Sequence, residues 1–291
     1  MSAMKLTAAA VKHLARALTI LLLVIAGSTV LVRSAPGYFT DAREMDARYA
    51  AQARADLAHE AAREGSLPHL IAAEIGGWMR GDAGLSRQYG VPVLELIKPR
   101  LRVTGELLLR ALLLSWALAV LAALLASAGR NPSLLWQTPA TLLMAIPTAA
   151  MATICLLANH GGPVLVMALL LAPRDFKFLH RTLRKAWLDP HVLQARAQGI
   201  GTPRLLWAHI LPSIAPQVAA LAALSIVTGL SALVPVEVIF NVQGLGQLAW
   251  NAALNRDLPV LLAVTLIMAL AVTLSGMSPD GPDRPGEWNS V

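Results

Sequence analysis

The sequence predicts an all-α membrane protein with six transmembrane helices, a cytoplasmic helical loop and a sizeable extracytoplasmic loop after the first span. Mean hydropathy is +0.59, and 56% of the 291 residues are hydrophobic whereas only 14% are charged. Soluble domains carry about a quarter charged residues, so a chain this apolar has too little polar surface for water. Long apolar segments recur along the chain, and basic residues flank them.

Six apolar segments approach the roughly 20 residues that a helix needs to cross the hydrocarbon core of a bilayer. In chain order they are Ala17–Val32, Leu107–Ser127, Leu134–Asn159, Pro163–Leu179, Gln217–Val236 and Leu258–Met277. Six spans place both termini in the cytoplasm. Basic residues precede the first segment, so a cleaved signal peptide is an alternative there. The length of that segment and the later spans favour a signal anchor.

The second, third and fourth segments each contain residues that are unusual in a membrane. Arg110 lies near the start of the second. The ten leucines between residues 107 and 125 favour membrane insertion by more free energy than one arginine opposes it. Pro139 and Pro147 predict kinks in the third. The fourth is the weakest, because only Pro163–Ala172 is cleanly apolar. Arg174 and Lys177 are expected to extend from it to the inner surface.

The assignment of the fourth span depends on the segment that follows it. Residues 173–216 contain seven Lys or Arg and two acidic residues. Six spans place this most basic segment in the cytoplasm. This agrees with the tendency of cytoplasmic loops to be enriched in Lys and Arg.

The spans divide the chain into four parts. Residues 1–32 form the N-terminal tail and first span, and residues 33–104 an extracytoplasmic segment with ten basic and nine acidic residues. Its composition favours a solvated helix. A five-span core, 105–277, contains the cytoplasmic loop 190–216. The tail, 278–291, is rich in Pro, Gly and polar residues, which predicts cytoplasmic disorder.

Several kinds of chemistry have no support in the sequence. The net charge of +7 arises from residues beside apolar segments, so it indicates membrane orientation rather than nucleic-acid binding. No P-loop pattern, metal-ligand pair of histidines or nucleophile motif occurs, so we expect no catalytic and no metal-binding residues. "GLGQLA" matches a loose dinucleotide pattern, but a span follows it and no acidic residue stands about 20 positions on.

The cytoplasmic loop contains a compact basic stretch, "ARAQGIGTPRLLWAHILP". It predicts a short helix, a glycine turn and a second helix that prolines end before the fifth span. The residues that break or start helices are, in order, Gly199, Gly201, Pro203, Pro212 and Pro216. Leu205, Leu206 and Ile210 can anchor this element at the membrane face. It suits docking into a groove of another protein, and an ordinary interfacial loop is the alternative.

"QARAQGIGTPRLLWAHILP" resembles the EAA loop of ABC importer permeases. Ala195, Gly199 and Leu211–Pro212 match its pattern, whereas Leu193 occupies its glutamate position. Two more stretches are similar to the peptide and nickel branch: "GDAGLSRQYGVPVLELIKPRLRVTGEL" and "VEVIFNVQGLGQLAWNAALNRDLPVL". Gln243 stands in the second where that branch usually has proline.

The resemblance implies that this chain is one of two permease subunits in a bacterial cytoplasmic (inner) membrane, carrying peptides or a similar small solute. Its loop would be a coupling helix in a cleft of a cytoplasmic ATPase, and the assembly would contain two such ATPase subunits. These subunits bind the ATP, so no cofactor is expected in this chain. An extracytoplasmic substrate-binding protein would deliver the solute. The implied coupling residues are Ala195, Arg196, Ala197, Gly199, Gly201, Pro203, Arg204, Ile210, Leu211 and Pro212. The implied outer-face residues are Gly81, Asp82, Gly84, Ser86, Gly244, Gly246, Arg256 and Asp257.

The alternative is a stand-alone secondary carrier or a membrane-embedded enzyme. A carrier needs ionisable groups in the middle of its spans for ion coupling. The candidate groups Glu106, Arg110, Arg174 and Glu237 all lie near the ends of the predicted spans. The sequence therefore favours the permease subunit.

Overall fold

The computed structural model describes residues 75–78, 80–128, 132–159, 161–255 and 257–275, together with residues 15, 19, 22–27 and 30. These residues are helical apart from turns and one isolated bridge between Leu85 and Pro92. The helices are α1 Val93–Ala128, α2 Pro132–Ala145, α3 Thr148–Leu157, α4 Pro163–Trp187, α5 Pro190–Ala197, α6 Thr202–Leu205, α7 Leu211–Ile239, α8 Leu245–Leu254 and α9 Leu258–Ser275, and a π-helical turn, Leu206–Ile210, joins α6 to α7. The all-α prediction is confirmed for this part of the chain.

Three helical stretches within the described residues are long and apolar enough to cross a membrane: Val93–Ala126, Thr202–Ile239 and Leu258–Ser275. Helices α2 and α3 make a fourth if the bent pair counts as one span. Helix α4 contains the predicted fourth span, but its second half is charged. Half of the predicted first span lies outside the described residues, so six spans remain a prediction.

The third predicted span is a broken helix. Helix α2 runs through Pro139 without interruption, whereas the axes of α2 and α3 differ by 97° at the break after Ala145. Pro147 has extended backbone (φ −59°, ψ 143°) and precedes α3. A proline disfavours helical backbone in the residue before it, which explains why the chain leaves the helix at Ile146.

The predicted end of the second loop helix is wrong. Pro212 and Pro216 do not stop it, because the chain continues helically from Thr202 to Ile239. In the π turn the Leu211 N–H bonds to the Leu206 carbonyl, five residues back. The wider turn accommodates a proline ring that would clash with the backbone of a regular α-helix. The coupling loop and the fifth predicted span therefore share one continuous helix.

The described residues form two compact units. The first comprises residues up to 103 and 243–271, and its core joins the start of α1 to α8 and α9. The buried side chains of that core are Ala83, Val93, Ile97, Leu245, Leu248, Ala252, Val260, Ala263 and Val264. This packing extends α1 to Val93, well before the predicted start of the second span at Leu107.

The second unit comprises residues 104–242 and those after 271. Within it α4 packs against α2, α3 and α7. One core contains Ala119, Ala123, Ala126, Ala140, Phe176, Leu179 and Leu221. Small alanines on α1 allow close approach of its neighbours in this core, a common device where membrane helices pack.

Candidate functional sites

The turn of the coupling loop is a hydrogen-bonded helix cap. Gly199 has a left-handed backbone (φ +81°), its N–H donates to the Arg196 carbonyl at 3.0 Å, and the Ile200 N–H donates to the Ala195 carbonyl at 3.3 Å. This pair of bonds is the Schellman arrangement, which favours glycine at the left-handed position. The predicted glycine turn is confirmed at Gly199.

Gly201 and Pro203 start the second helix. Gly201 is extended (φ −61°, ψ 146°), and its carbonyl accepts the Leu205 N–H at 2.9 Å. Any residue adopts this backbone, so Gly201 has no conformational requirement for glycine. Pro203 lies in the first turn of α6, where its missing N–H costs nothing.

The loop residues pack on one another and on the end of α4. Their buried core consists of Ala186, Val192, Ala195, Leu205, Ile210 and Ile214. Leu205 and Ile210 are buried within the protein, which corrects the expectation that they anchor the loop in the membrane face. The element is thus a folded body rather than a flexible segment between spans.

The outer surface of this body combines exposed apolar and basic side chains. Trp207 is 72% exposed, Leu188 65% and Leu193 47%. Arg196 and Arg204, two of the predicted coupling residues, are exposed as well. Of the other predicted coupling residues, Ala197, Pro203 and Pro212 are exposed, and Leu211 is half-buried. Large exposed apolar side chains rimmed by charge are typical of a protein-binding surface.

In the first unit, Asp257 joins the two predicted outer-face motifs. The Ser86 hydroxyl donates to Asp257 Oδ2, the Arg87 N–H donates to Oδ1 at 3.1 Å, and the Gln88 N–H donates to Oδ2 at 3.1 Å. Asp257 and Ser86 are both buried. Several donors on one carboxylate compensate the cost of burying it.

The glycines of these motifs have different roles. Gly81 and Gly84 both have φ near +77°, so their turns favour glycine. The Gly84 N–H bonds to Asp82 Oδ1 at 2.9 Å, which shapes the loop from within. Gly244 precedes α8 in extended conformation, and Gly246 is buried within that helix. Arg256 lies outside the described residues.

A buried polar cluster in the second unit was not predicted from the sequence. Arg174 Nη2 donates to Asp175 Oδ1 at 3.0 Å and to Ser225 Oγ at 3.1 Å, and Nη1 donates to Thr228 Oγ1. The Ser115 hydroxyl donates to Asp175 Oδ2 at 3.1 Å. Arg174 is therefore held inside the helix bundle, which corrects the expectation that it reaches the inner surface.

The signal for this cluster was the dipeptide Arg174–Asp175 at the end of an apolar run. A second buried carboxylate, Glu237, accepts the Thr104 hydroxyl at 2.7 Å. Asp175 and Glu237 have fully buried side chains. The structure thus buries both carboxylates among packed helices, and Glu237 lies near the end of α7 as predicted.

The family model described as "Binding-protein-dependent transport system inner membrane component" matches residues 115–281, more than half of the chain. The chain belongs to this family. The match includes the coupling loop, the buried cluster and the Gly244–Asp257 motif. The resemblance to ABC importer permeases is thereby confirmed, and the chain is a membrane-embedded transport component.

Two curated relatives support the same assignment. The oligopeptide transport system permease protein AppB of Bacillus subtilis is 28% identical over 236 residues, covering 71% of this chain and 75% of the relative. The metal-staphylopine import system permease protein CntB of Staphylococcus aureus is 27% identical over 213 residues, covering 66% and 68%. Both are named as permease proteins, AppB of a transport system and CntB of an import system.

Proposed function

We propose that this permease forms half of the translocation pathway of an ATP-driven importer, with a second permease subunit forming the other half. Two cytoplasmic ATPase subunits bind the ATP, and an extracytoplasmic substrate-binding protein delivers the solute. The family membership supports this assembly, because the family is defined by binding-protein-dependent transport. The chain itself carries no cofactor in this scheme.

The proposed topology has six spans, with both termini in the cytoplasm and the bacterial inner membrane as the location. Helices α1, the α2–α3 pair, α4, α7 and α9 are the second to sixth spans. The charge pattern supports this order, since residues 173–216 contain seven basic residues against two acidic ones.

The observation that carries the proposal is the folded coupling loop. Its exposed Trp207 and Leu193 supply apolar contacts for a groove in an ATPase subunit, and Arg196 and Arg204 supply charge. Because residues 202–239 are one helical stretch, a displacement of the loop is transmitted directly to the proposed fifth span. ATP-driven closure of the ATPase pair then alternates access to the pathway.

The proposed solute is a peptide or a similar small molecule. The names of AppB and CntB support this range, since one serves oligopeptides and the other a metal-staphylopine complex. The proposal does not depend on which of these solutes the chain carries.

The coupling role is tested by substituting Gly199→Val. A β-branched residue in the left-handed region costs about 1–3 kcal/mol, so the cap would open and the loop would lose its shape. We expect Gly199→Val to abolish ATP-dependent solute uptake and to reduce co-purification of the ATPase subunits, while the amount of permease in the membrane is unchanged.

Gly201→Ala is the matched control, because its backbone suits alanine and the nearest atom to an added Cβ is Pro203 Cδ at 4.0 Å. Uptake by Gly201→Ala should equal that of the wild type. Normal uptake by Gly199→Val would overturn the coupling role of the loop.

A further inference from the structure

The break between α2 and α3 adjoins a cavity of about 270 Å³ within the second unit. Ile146 and Thr148 line it at the break, Arg174 lines it from α4, and Thr228 and Ser231 line it from α7. The remaining lining residues are apolar. Arg174 is the single charged residue among those that line this cavity.

The Arg174 guanidinium is held by neighbouring side chains, and Arg174 also lines the cavity. Its Nε and Nη2 lie 3.3 Å and 3.0 Å from Asp175 Oδ1, and the whole side chain is 22% exposed. A guanidinium has five N–H donors. Asp175, Ser225 and Thr228 engage four of them, so these side chains leave one Nη1 N–H of this cavity-lining residue unengaged.

We propose that this cavity is a subsite for a carboxylate group of the transported solute, contacted by Arg174. The proposal rests on the importer function proposed above. A planar guanidinium matches the geometry of a carboxylate better than other side chains do. The cavity lies just below the usual range of ligand pockets, about 300–1,000 Å³, so it receives one end of a solute and not a whole peptide.

Asp175 limits how tightly such a site binds a carboxylate, which suits a transport pathway. The Asp175 carboxylate is fully buried, lies 3.0 Å from Arg174 Nη2, and also accepts the Ser115 and Ser225 hydroxyls. It compensates the charge of Arg174. An entering carboxylate therefore accepts a hydrogen bond from the guanidinium but is not attracted by an unpaired positive charge. A transport pathway needs this balance, because a site must bind well enough to admit its solute and weakly enough to release it.

The test measures the charge preference of a thiol introduced into the cavity. Ser231→Cys is made in the full chain together with Cys155→Ser. Membranes that contain this variant are treated with two methanethiosulfonate reagents, one with an anionic ethylsulfonate group and one with a cationic trimethylammonium group. We compare the ratio of the anionic to the cationic reaction rate at two positions. This ratio should be at least fivefold higher for Ser231→Cys than for Leu157→Cys, since Leu157 is 81% exposed and does not line the cavity. The ratio of two reagents on one thiol cancels differences in thiol reactivity.

The double variant Arg174→Gln/Asp175→Asn removes both charges without leaving either one buried alone. In that background the rate ratio for the thiol of Ser231→Cys should fall to the value for the thiol of Leu157→Cys. Millimolar propionate should slow the reaction of the Ser231→Cys thiol with neutral methyl methanethiosulfonate, whereas propionamide should not, and the double variant should lose this protection.

Three results would overturn the proposal: an unreactive thiol in Ser231→Cys, equal rates for the two charged reagents, or a preference that survives in the double variant. These measurements need neither ATP nor a partner protein. Absence of ATP-dependent uptake or of an associated ATPase in the wild type would refute the importer function but would leave the measured anion preference of the cavity unchanged, so the two failures are distinguishable.

Discussion

At the scale of single residues, buried carboxylates form hydrogen bonds between segments that are far apart in the sequence. Asp257 accepts three donors from Ser86, Arg87 and Gln88, and Glu237 accepts the Thr104 hydroxyl. Each bond spans more than 130 residues of sequence, so each one fixes a contact that local structure does not determine. Loss of such an acceptor leaves buried donors unsatisfied, which costs more than the bond itself contributes.

Asp257→Ala is therefore expected to destabilise the first unit. The Ser86 hydroxyl would lose its buried acceptor, and a cost of about 1–3 kcal/mol per buried unsatisfied group predicts a clear drop in the thermal midpoint. Thermal unfolding of the purified permease in detergent measures the effect. Asp82→Ala is the control, since Asp82 is exposed and accepts the Gly84 N–H within its own loop. Equal midpoints for the two variants would show that the Asp257 contacts contribute nothing.

At the scale of helices, glycine sets how closely α7 approaches its neighbours. Gly229 is buried, and a Cβ there would lie 2.6 Å from Leu108 Cδ1 and 3.7 Å from Leu171 Cδ1. The Leu108 side chain can rotate to admit one methyl group, but it cannot admit a larger side chain without separating the helices.

A graded series at Gly229 tests this packing. Gly229→Ala should change stability little, whereas Gly229→Leu should destabilise the permease by about 1–3 kcal/mol through overpacking. Gly105→Ala provides a control in α1, because no atom lies within 4 Å of an added Cβ. That change should be neutral or stabilising by up to about 1 kcal/mol, as expected for alanine in an exposed helix. Equal thermal midpoints for Gly229→Leu and wild type would contradict the close contact.

Local signals explain which elements could be predicted from the sequence. The left-handed turn at Gly199 and the break at Pro147 depend on the conformational limits of glycine and proline, which act within a few residues. The continuation of the helix past Pro212 was not predictable in this way, because it depends on a π turn that widens the backbone. Apolar runs locate helices, but they do not show where tertiary packing extends one, as it does at Val93.

Burial of the polar cluster could not be predicted from the sequence, for a different reason. Arg174 and Asp175 follow an apolar run, a pattern equally typical of a charged helix end at the membrane surface. Their partners Ser115 and Ser225 are 60 and 50 residues away from Asp175. Only the packing of three helices brings these groups together, and single hydroxyls in apolar helices carry no signal of their own.

At the scale of the whole molecule, the sidedness of the permease follows from charge and is open to a direct test. Leu188→Cys lies in the basic segment, at a position that is 65% exposed and expected in the cytoplasm. Leu85→Cys lies in the outer-face motif, at a position that is 62% exposed and expected outside. Both are made with Cys155→Ser, so that each chain carries one thiol.

A membrane-impermeant maleimide added to intact spheroplasts should label Leu85→Cys and spare Leu188→Cys, and the latter should react once the membrane is permeabilised. The physical reason is that seven basic residues in 173–216 cross a membrane less readily than the apolar segments beside them. Permeabilised membranes serve as the control for reactivity, since both thiols must then react. Labelling of Leu188→Cys from outside would place the coupling loop where no ATPase can reach it, and the proposed transmission of force through α6 and α7 would fail with the topology.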